Sequence, residues 1–238
     1  RQPHVVIDLA SRRLKALKIE RLLGLQQFPQ PIRVLEIGCG SGGIAHYFAT
    51  HSSLQCSVTA VDVHDNRQIH EGYVYQNVQG VQLPFADQQF DAVISNHVVE
   101  HVGDTAAQLE HLREIRRVLT CTGKAYLAVP NRWMVTEPHY HLKFLSWLPH
   151  EWRSPYLRWM GKGHVYDCEP LQMRQLERML EAADLQYCNQ CVEGWRVTFE
   201  IERPTHWSNR VLTYCPDALL QPLSPIIPTL IYQLRRSC

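Results

Sequence analysis

The run Val34-Leu35-Glu36-Ile37-Gly38-Cys39-Gly40-Ser41-Gly42-Gly43 reads as a buried strand that passes through glycines into a helix. Gly38, Gly40 and Gly43 have the spacing GxGxxG, in which missing side chains let backbone N–H groups approach a ligand and the helix N-terminus favours negative charge. A phosphate fits that logic, and so does a carboxylate. Glu36 separates the two, because an acid at the strand end repels a pyrophosphate but pairs with an ammonium group. Asp62 closes the next apolar strand. A carboxylate accepts without donating and can take two donors at once, which suits the hydroxyl pair of a ribose. Asp62 therefore supports a nucleoside without choosing it, since a nicotinamide dinucleotide could use the same acid.

Longer stretches make the choice. Glu36-x-Gly38-x-Gly40-x-Gly42 closely resembles motif I of the class I S-adenosylmethionine-dependent methyltransferases. Leu83-Pro84-Phe85-Ala86-Asp87-Gln88-Gln89-Phe90-Asp91-Ala92-Val93-Ile94-Ser95-Asn96 is similar to the loop and fourth strand of the type 11 group, which includes the ubiquinone and menaquinone methylases. Glu100-His101-Val102, Leu119-x-x-x-Gly123 and Pro130-Asn131 fit the same group, so the resemblance covers about residues 33–131. It implies an α/β, Rossmann-like fold: a seven-stranded, mostly parallel sheet with helices on both faces and an insertion after the fifth strand. It also implies S-adenosylmethionine as cofactor. Glu36, Gly38, Cys39, Gly40 and Gly42 would face the methionine end, Asp62 and Val63 the ribose, with Asn96 closing the same site. Where relatives commonly place an Asp for the adenine amino group, this chain has Gln79, whose amide oxygen can still accept that N–H. Gly80 and Val81 would offer backbone and an apolar wall to the purine.

Methyl transfer from a sulfonium is an in-line displacement at carbon, so the protein must chiefly align the reactants and exclude water, with a base where the acceptor carries a proton. His97, His139 and His141 are the candidate bases. His97 follows Asn96 just past the fourth strand, where it reads either as a base or as a helix cap. His139 and His141 stand in Glu137-Pro138-His139-Tyr140-His141, as bases, metal ligands beside Glu137, or surface residues; no metal is assigned. His101 is expected to support structure or cofactor, and His164 is a further histidine of the same region. The segment 131–167 loses all periodicity, and a connection this long over the carboxyl ends of the strands is expected to be a lid over the acceptor.

The elements that must position these groups alternate along the chain, as in an α/β sheet. Helices are expected over 9–23, 44–50, 106–119 and 169–183, and strands over 32–37, 57–63, 90–95, 124–129, 185–192 and, last, Trp195–Ile201. The tail 218–234 is apolar, but Pro222, Pro225 and Pro228 forbid a continuous helix. With 238 residues, 45% of them apolar, one domain is expected: a helical segment 1–30, a cofactor core 31–130, the lid 131–167 and a C-terminal half 168–238.

Lysine and arginine total 24 against 23 acids, a net charge of +1 that draws the chain to no nucleic acid. Eight scattered cysteines read as reduced thiols of a cytoplasmic protein. Cys188 and Cys191 have CxxC spacing, but on a strand they point to opposite faces and share no metal. No apolar run reaches the roughly 20 residues of a membrane span, the polar start reads as no signal peptide, and residues are expected to precede Arg1. Trp133, Phe144, Trp147, Trp152 and Trp159, with the tail, suit an apolar, sugar or lipid-linked acceptor and a tail that touches a membrane. Packing of lid and tail on the core accounts for the same residues. The expected activity is methylation of a small-molecule, sugar or lipid-linked acceptor at oxygen. The alternatives are a catalytically silent cofactor-binding partner in an assembly and an NAD-dependent oxidoreductase.

Overall fold

The computed structural model describes residues 9–137, 140–202, 204, 205 and 207–237. In chain order its elements are α1 (Leu9–Leu23), β1 (Ile32–Ile37), α2 (Gly43–Thr50), β2 (Cys56–Asp62), β3 (Val74–Asn77), β4 (Phe90–Asn96), α3 (Thr105–Val118), β5 (Leu119–Pro130), α4 (His150–Trp159), α5 (Met173–Ala182), β6 (Leu185–Asn189), α6 (Cys191–Glu202), α7 (Trp207–Tyr214), α8 (Asp217–Leu220) and β7 (Thr229–Arg236). The strands form a seven-stranded sheet in the order β3-β2-β1-β4-β5-β7-β6. Pairings from β3 to β5 are parallel, while β7 runs antiparallel between β5 and β6.

β1 is buried on both faces, as a central strand covered by helices must be. Ile32 and Val34 join Ile19, Leu23 and Phe48 on one side, while Leu35 and Ile37 join Leu112, Ile115 and Leu176 on the other. α1, α2 and α3 thus hold the carboxyl ends of β1, β2 and β4 in one plane.

The second half departs from the sequence expectation. Residues 195–201 are not a final strand but lie inside α6, where Cys191, Gly194 and Val197 repeat at helical spacing and are buried. Gly194 lies so close to β7 that a Cβ there would come within 2.6 Å of Ile231 Cδ1, and the Asn189 carboxamide accepts from the Cys191 N–H where the helix starts. The last strand is instead β7, whose Leu230, Tyr232 and Leu234 face one core and Ile231 the other. That half of the tail is inside the sheet and has no face for a membrane; Leu219, Leu223 and Ile226 before it are exposed. β3, four residues with an exposed or half-buried pattern, carries too little apolar signal to be read from sequence. β6 ends at Asn189, so Cys188 is exposed on the strand while Cys191 is buried in α6. Cys121 is disulfide-bonded, which corrects the reading of all eight cysteines as thiols. No helix among the described residues is long and apolar enough to cross a membrane.

The segment 131–167 is less irregular than its sequence. A 3-10 turn, Leu145–Trp147, and α4 close over a small core of Leu142, Leu145, Leu157, Tyr166 and Cys168. Trp133 and Trp147 stack edge to face beside it, while Trp152 and Trp159 are exposed.

Candidate active site

Strand order reverses between β1 and β4, and open α/β sheets bind ligands in the crevice at that point, outside the carboxyl ends of the strands. A cleft of 1090 Å³ lies there. Glu36, Gly38, Cys39 and Gly40 line it from the end of β1, Asp62 and Val63 from β2, Gly80 and Val81 beyond β3, and Asn96 and His97 from β4. Of the remaining residues singled out in the sequence, Gly42 and Gln79 are not part of its lining. Gly42, in the left-handed region at φ 78°, begins α2, and a Cβ there would strike the Tyr73 hydroxyl and the Ile69 carbonyl. Gln79 is exposed.

The glycine turn is shaped by close approach. Gly38 has φ 72° and its Cβ would stand 2.5 Å from Val98 Cγ2, so only a glycine fits. The Gly40 N–H donates to Asp62 Oδ2 at 2.8 Å and the His64 N–H to Asp62 Oδ1 at 3.2 Å, which ties the turn to the end of β2. Glu36 is 2% exposed. The Ala45 N–H, in the first turn of α2, donates to it, yet its Oε2 has no hydrogen-bond partner. Burial pushes its carboxyl up to about 8 against the opposing effects of that N–H and of Arg12.

The Leu83-to-Asp91 run serves the framework. Arg117 of α3 donates to the carbonyls of Leu83 and Phe85 and to Asp87, and Glu114 accepts from the Leu83 N–H at 2.7 Å. Asp91 is held by Arg33 of β1. These contacts fix the wall of the cleft that contains Gly80 and Val81.

Among the histidines, His97 is brought to the cleft. It is held at φ 59°, a sparsely populated conformation for a side chain of this size, by its N–H bond to the Ala128 carbonyl at 2.9 Å. Its Nδ1 lies 3.4 Å from Glu100 Oε1, and Glu100 is 1% exposed with neither oxygen hydrogen-bonded. His101 also lines the cleft. His141 is exposed on the lid, tied through its N–H to the Glu137 carbonyl, and does not reach the cleft; His164 is likewise exposed. His139 lies outside the described residues.

Three groups of the site were not singled out in the sequence. Arg12 and Lys15, on successive turns of α1, line the cleft beside Glu36, and burial brings the Lys15 ammonium down to about 8. In sequence they are ordinary charges of an amphipathic helix; only their spacing of three marks a shared face. His111 of α3 is fully buried, bonded to the Ser95 hydroxyl at 3.0 Å, and desolvation lowers it to about 4. A second, smaller cleft of 380 Å³ adjoins the first and shares Lys15, Asn96 and His97 with it. Trp195 and Phe199 of α6 and Ile227 give it apolar walls.

The chain is similar to a ubiquinone biosynthesis O-methyltransferase of Dinoroseobacter shibae, 27% identical over 135 residues that make up 52% of this chain and 53% of that protein. The chain spans about half or less of the length of the curated relatives it matches. In fold it is similar to the YcgJ protein of Bacillus subtilis, with a TM-score of 0.54 at 18% identity over 93% of this chain and 99% of that one. A phosphoethanolamine N-methyltransferase 2 of Haemonchus contortus, solved with S-adenosyl-L-methionine, superposes with a TM-score of 0.53 at 17% identity over 94% and 52% of the two chains. The family model of the methyltransferase domain matches residues 9–190, most of the chain and all of the cleft-bearing half of the sheet. By that match, on a sheet of this strand order, the chain belongs to the class I S-adenosylmethionine-dependent methyltransferase family.

Proposed function

We propose that the chain transfers the methyl group of S-adenosylmethionine, held in the larger cleft, to an oxygen of a small-molecule, sugar or lipid-linked acceptor that enters through the smaller one. Glu36 carries the reading. A carboxylate this deeply buried, with one oxygen unpartnered, fits a ligand that brings a positive charge, because pairing with an ammonium stabilises the ionised form that burial disfavours. A pyrophosphate would meet repulsion at the same place, which disfavours the nicotinamide dinucleotide alternative. The remaining residues fit too: Gly38 and Gly40 leave backbone exposed, Asp62 suits two ribose hydroxyls, and Gly80 and Val81 offer a flat wall to adenine.

The bound cofactor would supply a methyl group already activated by its sulfonium. The chain's own residues do the rest. Arg12 and Lys15 stand where a carboxylate partner of the Glu36-bound ammonium would be received. His97, common to both clefts and with its Nδ1 3.4 Å from Glu100 Oε1, is the base for an acceptor hydroxyl in this reading. Trp195 and Phe199 offer a face for an apolar acceptor or a sugar ring. Enzymes with O-, N- and tRNA-directed names stand among the relatives, and oxygen is favoured here because His97 would serve as a base and the formal charge of +1 gives no general pull on nucleic acid.

Thermal-shift titration tests the cofactor, since a ligand that binds only the native state raises its melting temperature. S-adenosylhomocysteine is expected to raise it and NAD to leave it unchanged; the reverse would establish the oxidoreductase reading. Incubation with methyl-labelled cofactor and a cell extract is expected to label an extractable product. Tight binding without any labelled product would instead support a silent partner.

A further inference from the structure

His101, Asp167 and Cys168 converge beside the main cleft although more than sixty residues of chain separate the histidine from the other two. His101 closes the 3-10 turn Val99–His101 that follows β4, while Asp167 and Cys168 end the segment that returns from the lid. The two stretches are fixed to each other by the backbone: the Glu169 N–H donates to the Glu100 carbonyl at 3.0 Å, and the buried Gln108 side chain donates to the carbonyls of Val99 and Glu169. His101 Nδ1 is 3.7 Å from Cys168 Sγ, Cys168 Sγ is 3.9 Å from Asp167 Oδ1, and one ligand atom from each of the three lies within 4.8 Å of the others. Bonds of about 2.3 Å to sulfur and about 2.0–2.1 Å to nitrogen or oxygen, at tetrahedral angles, put such donors roughly 3.5 Å apart. The 3.7 and 3.9 Å separations stand within a few tenths of an ångström of that value, while the His101–Asp167 pair, within 4.8 Å, would close by side-chain rotation.

A second observation points to an ion. Glu100 is 1% exposed, neither of its oxygens is hydrogen-bonded, and Oε1 stands 3.9 Å from His101 Nε2, on the side of the ring away from Cys168. A metal-bound histidine commonly has a carboxylate behind the ring that orients its far nitrogen, and Glu100, between His97 and His101, would take that role by closing the 3.9 Å gap to His101 Nε2. Glu137, also buried, adds negative potential at the same place, and the nearby buried cation Arg153 is committed to the Leu148 carbonyl and to Glu169.

We infer that His101 Nδ1, Cys168 Sγ and an Asp167 oxygen form a site for one zinc-class divalent cation, with Glu100 positioning His101 and a fourth coordination position open to the cleft. The donor set is N, S and O, which suits zinc over magnesium or calcium, and three protein ligands with one open position leave room for an oxygen of a bound molecule. His101 and Asp167 both line the cleft, so the open position faces it. The site stands whatever the cleft binds.

Cobalt(II), a spectroscopic substitute for zinc, tests this on the chelator-treated full chain. Titration is expected to end at one ion per chain, with a thiolate-to-cobalt charge-transfer band in the near ultraviolet that zinc bleaches. Cys168→Ser should abolish the band, Asp167→Asn should weaken binding at least tenfold, and Glu100→Gln should weaken it by about 10–100-fold. Circular dichroism confirms that each variant is folded, and Asp167, being half-buried, gives a second probe if the Cys168 variant is not. Absence of stoichiometric binding, or binding with band and affinity unchanged in Asp167→Asn and Cys168→Ser, would overturn the site. The spectrum is read without methyl transfer, so failure of the ion site and failure of the proposed activity are separate results.

Discussion

Glu36 is the residue at which burial and charge are most opposed. Its carboxyl, raised to about 8, is protonated in the empty cleft at neutral pH, whereas an ammonium ligand requires the carboxylate. Binding of S-adenosylhomocysteine between pH 6 and 7 should therefore release close to one proton, and affinity should rise up to about tenfold per pH unit until the pH reaches the raised value. Calorimetry in buffers of different ionisation enthalpy reads the release directly, and Glu36→Gln should abolish it. Asp62 works differently, because both of its oxygens already accept from backbone N–H groups and the carboxylate is in place before a ligand arrives. Asp62→Ala should weaken cofactor binding by about 1.5–3 kcal/mol, the scale of hydrogen bonds to a charged group. Unchanged affinity in a folded variant would remove the ribose assignment.

At the scale of elements, the cleft is built by the turns that end the strands, and of the segment 131–167 Asp167 lines it. The turn after β1 tolerates no side chain at Gly38, where both the left-handed backbone and the 2.5 Å approach to Val98 oppose it. Gly38→Ala should cost about 1–3 kcal/mol in chemical denaturation, and adding Val98→Ala should recover only the packing part, since the backbone strain persists. The turn after β4 places His97 in the lining of both clefts, so His97→Ala should lower turnover by about 10²–10⁴ in a steady-state assay. His141 is on the outer surface of the lid. His141→Ala should leave cofactor affinity within about threefold, near 0.65 kcal/mol, and the rate unchanged; a large rate loss would mean that the lid closes with His141 turned inward.

The whole molecule inherits opposing pH dependences from two buried groups. For Glu36 the folded value, about 8, lies above the unfolded 4.5, so the folded state holds an extra proton in that window and stability falls as pH rises through it. For His111 the folded value, about 4, lies below 6.5, so the unfolded state binds the extra proton and stability falls as pH drops from 6.5 towards 4. Each contributes at most about 1.4 kcal/mol per pH unit within its window. The ligand-free chain should lose stability between pH 6.5 and 8 in urea unfolding. Glu36→Gln should flatten that limb, and His111→Gln should flatten the acid one.

Local pattern made much of this protein legible. The strand-glycine-helix run, the acid closing β2 and the Leu83-to-Asn96 stretch are contiguous in the chain, and each sits in the cleft or in its framework because short-range backbone geometry decides its shape. α3 and α5 follow from their 3.6-residue apolar period for the same reason. What only the tertiary structure decided depends on partners far away in sequence. Residues 195–201 carry β-branched and aromatic residues fit for a strand, yet become helical because their small face at Gly194 packs on Ile231. β7 enters the sheet by inserting antiparallel between β5 and the edge strand β6, a pairing that no local signal encodes. Lys15 becomes a cleft residue with a lowered ammonium, and Glu100 and His111 buried ionisable groups, because α1 and the segments after β4 are folded against the sheet. A charge on a helix reads as solvent-facing in sequence, and what desolvates it is the apolar surface that tertiary packing lays across it.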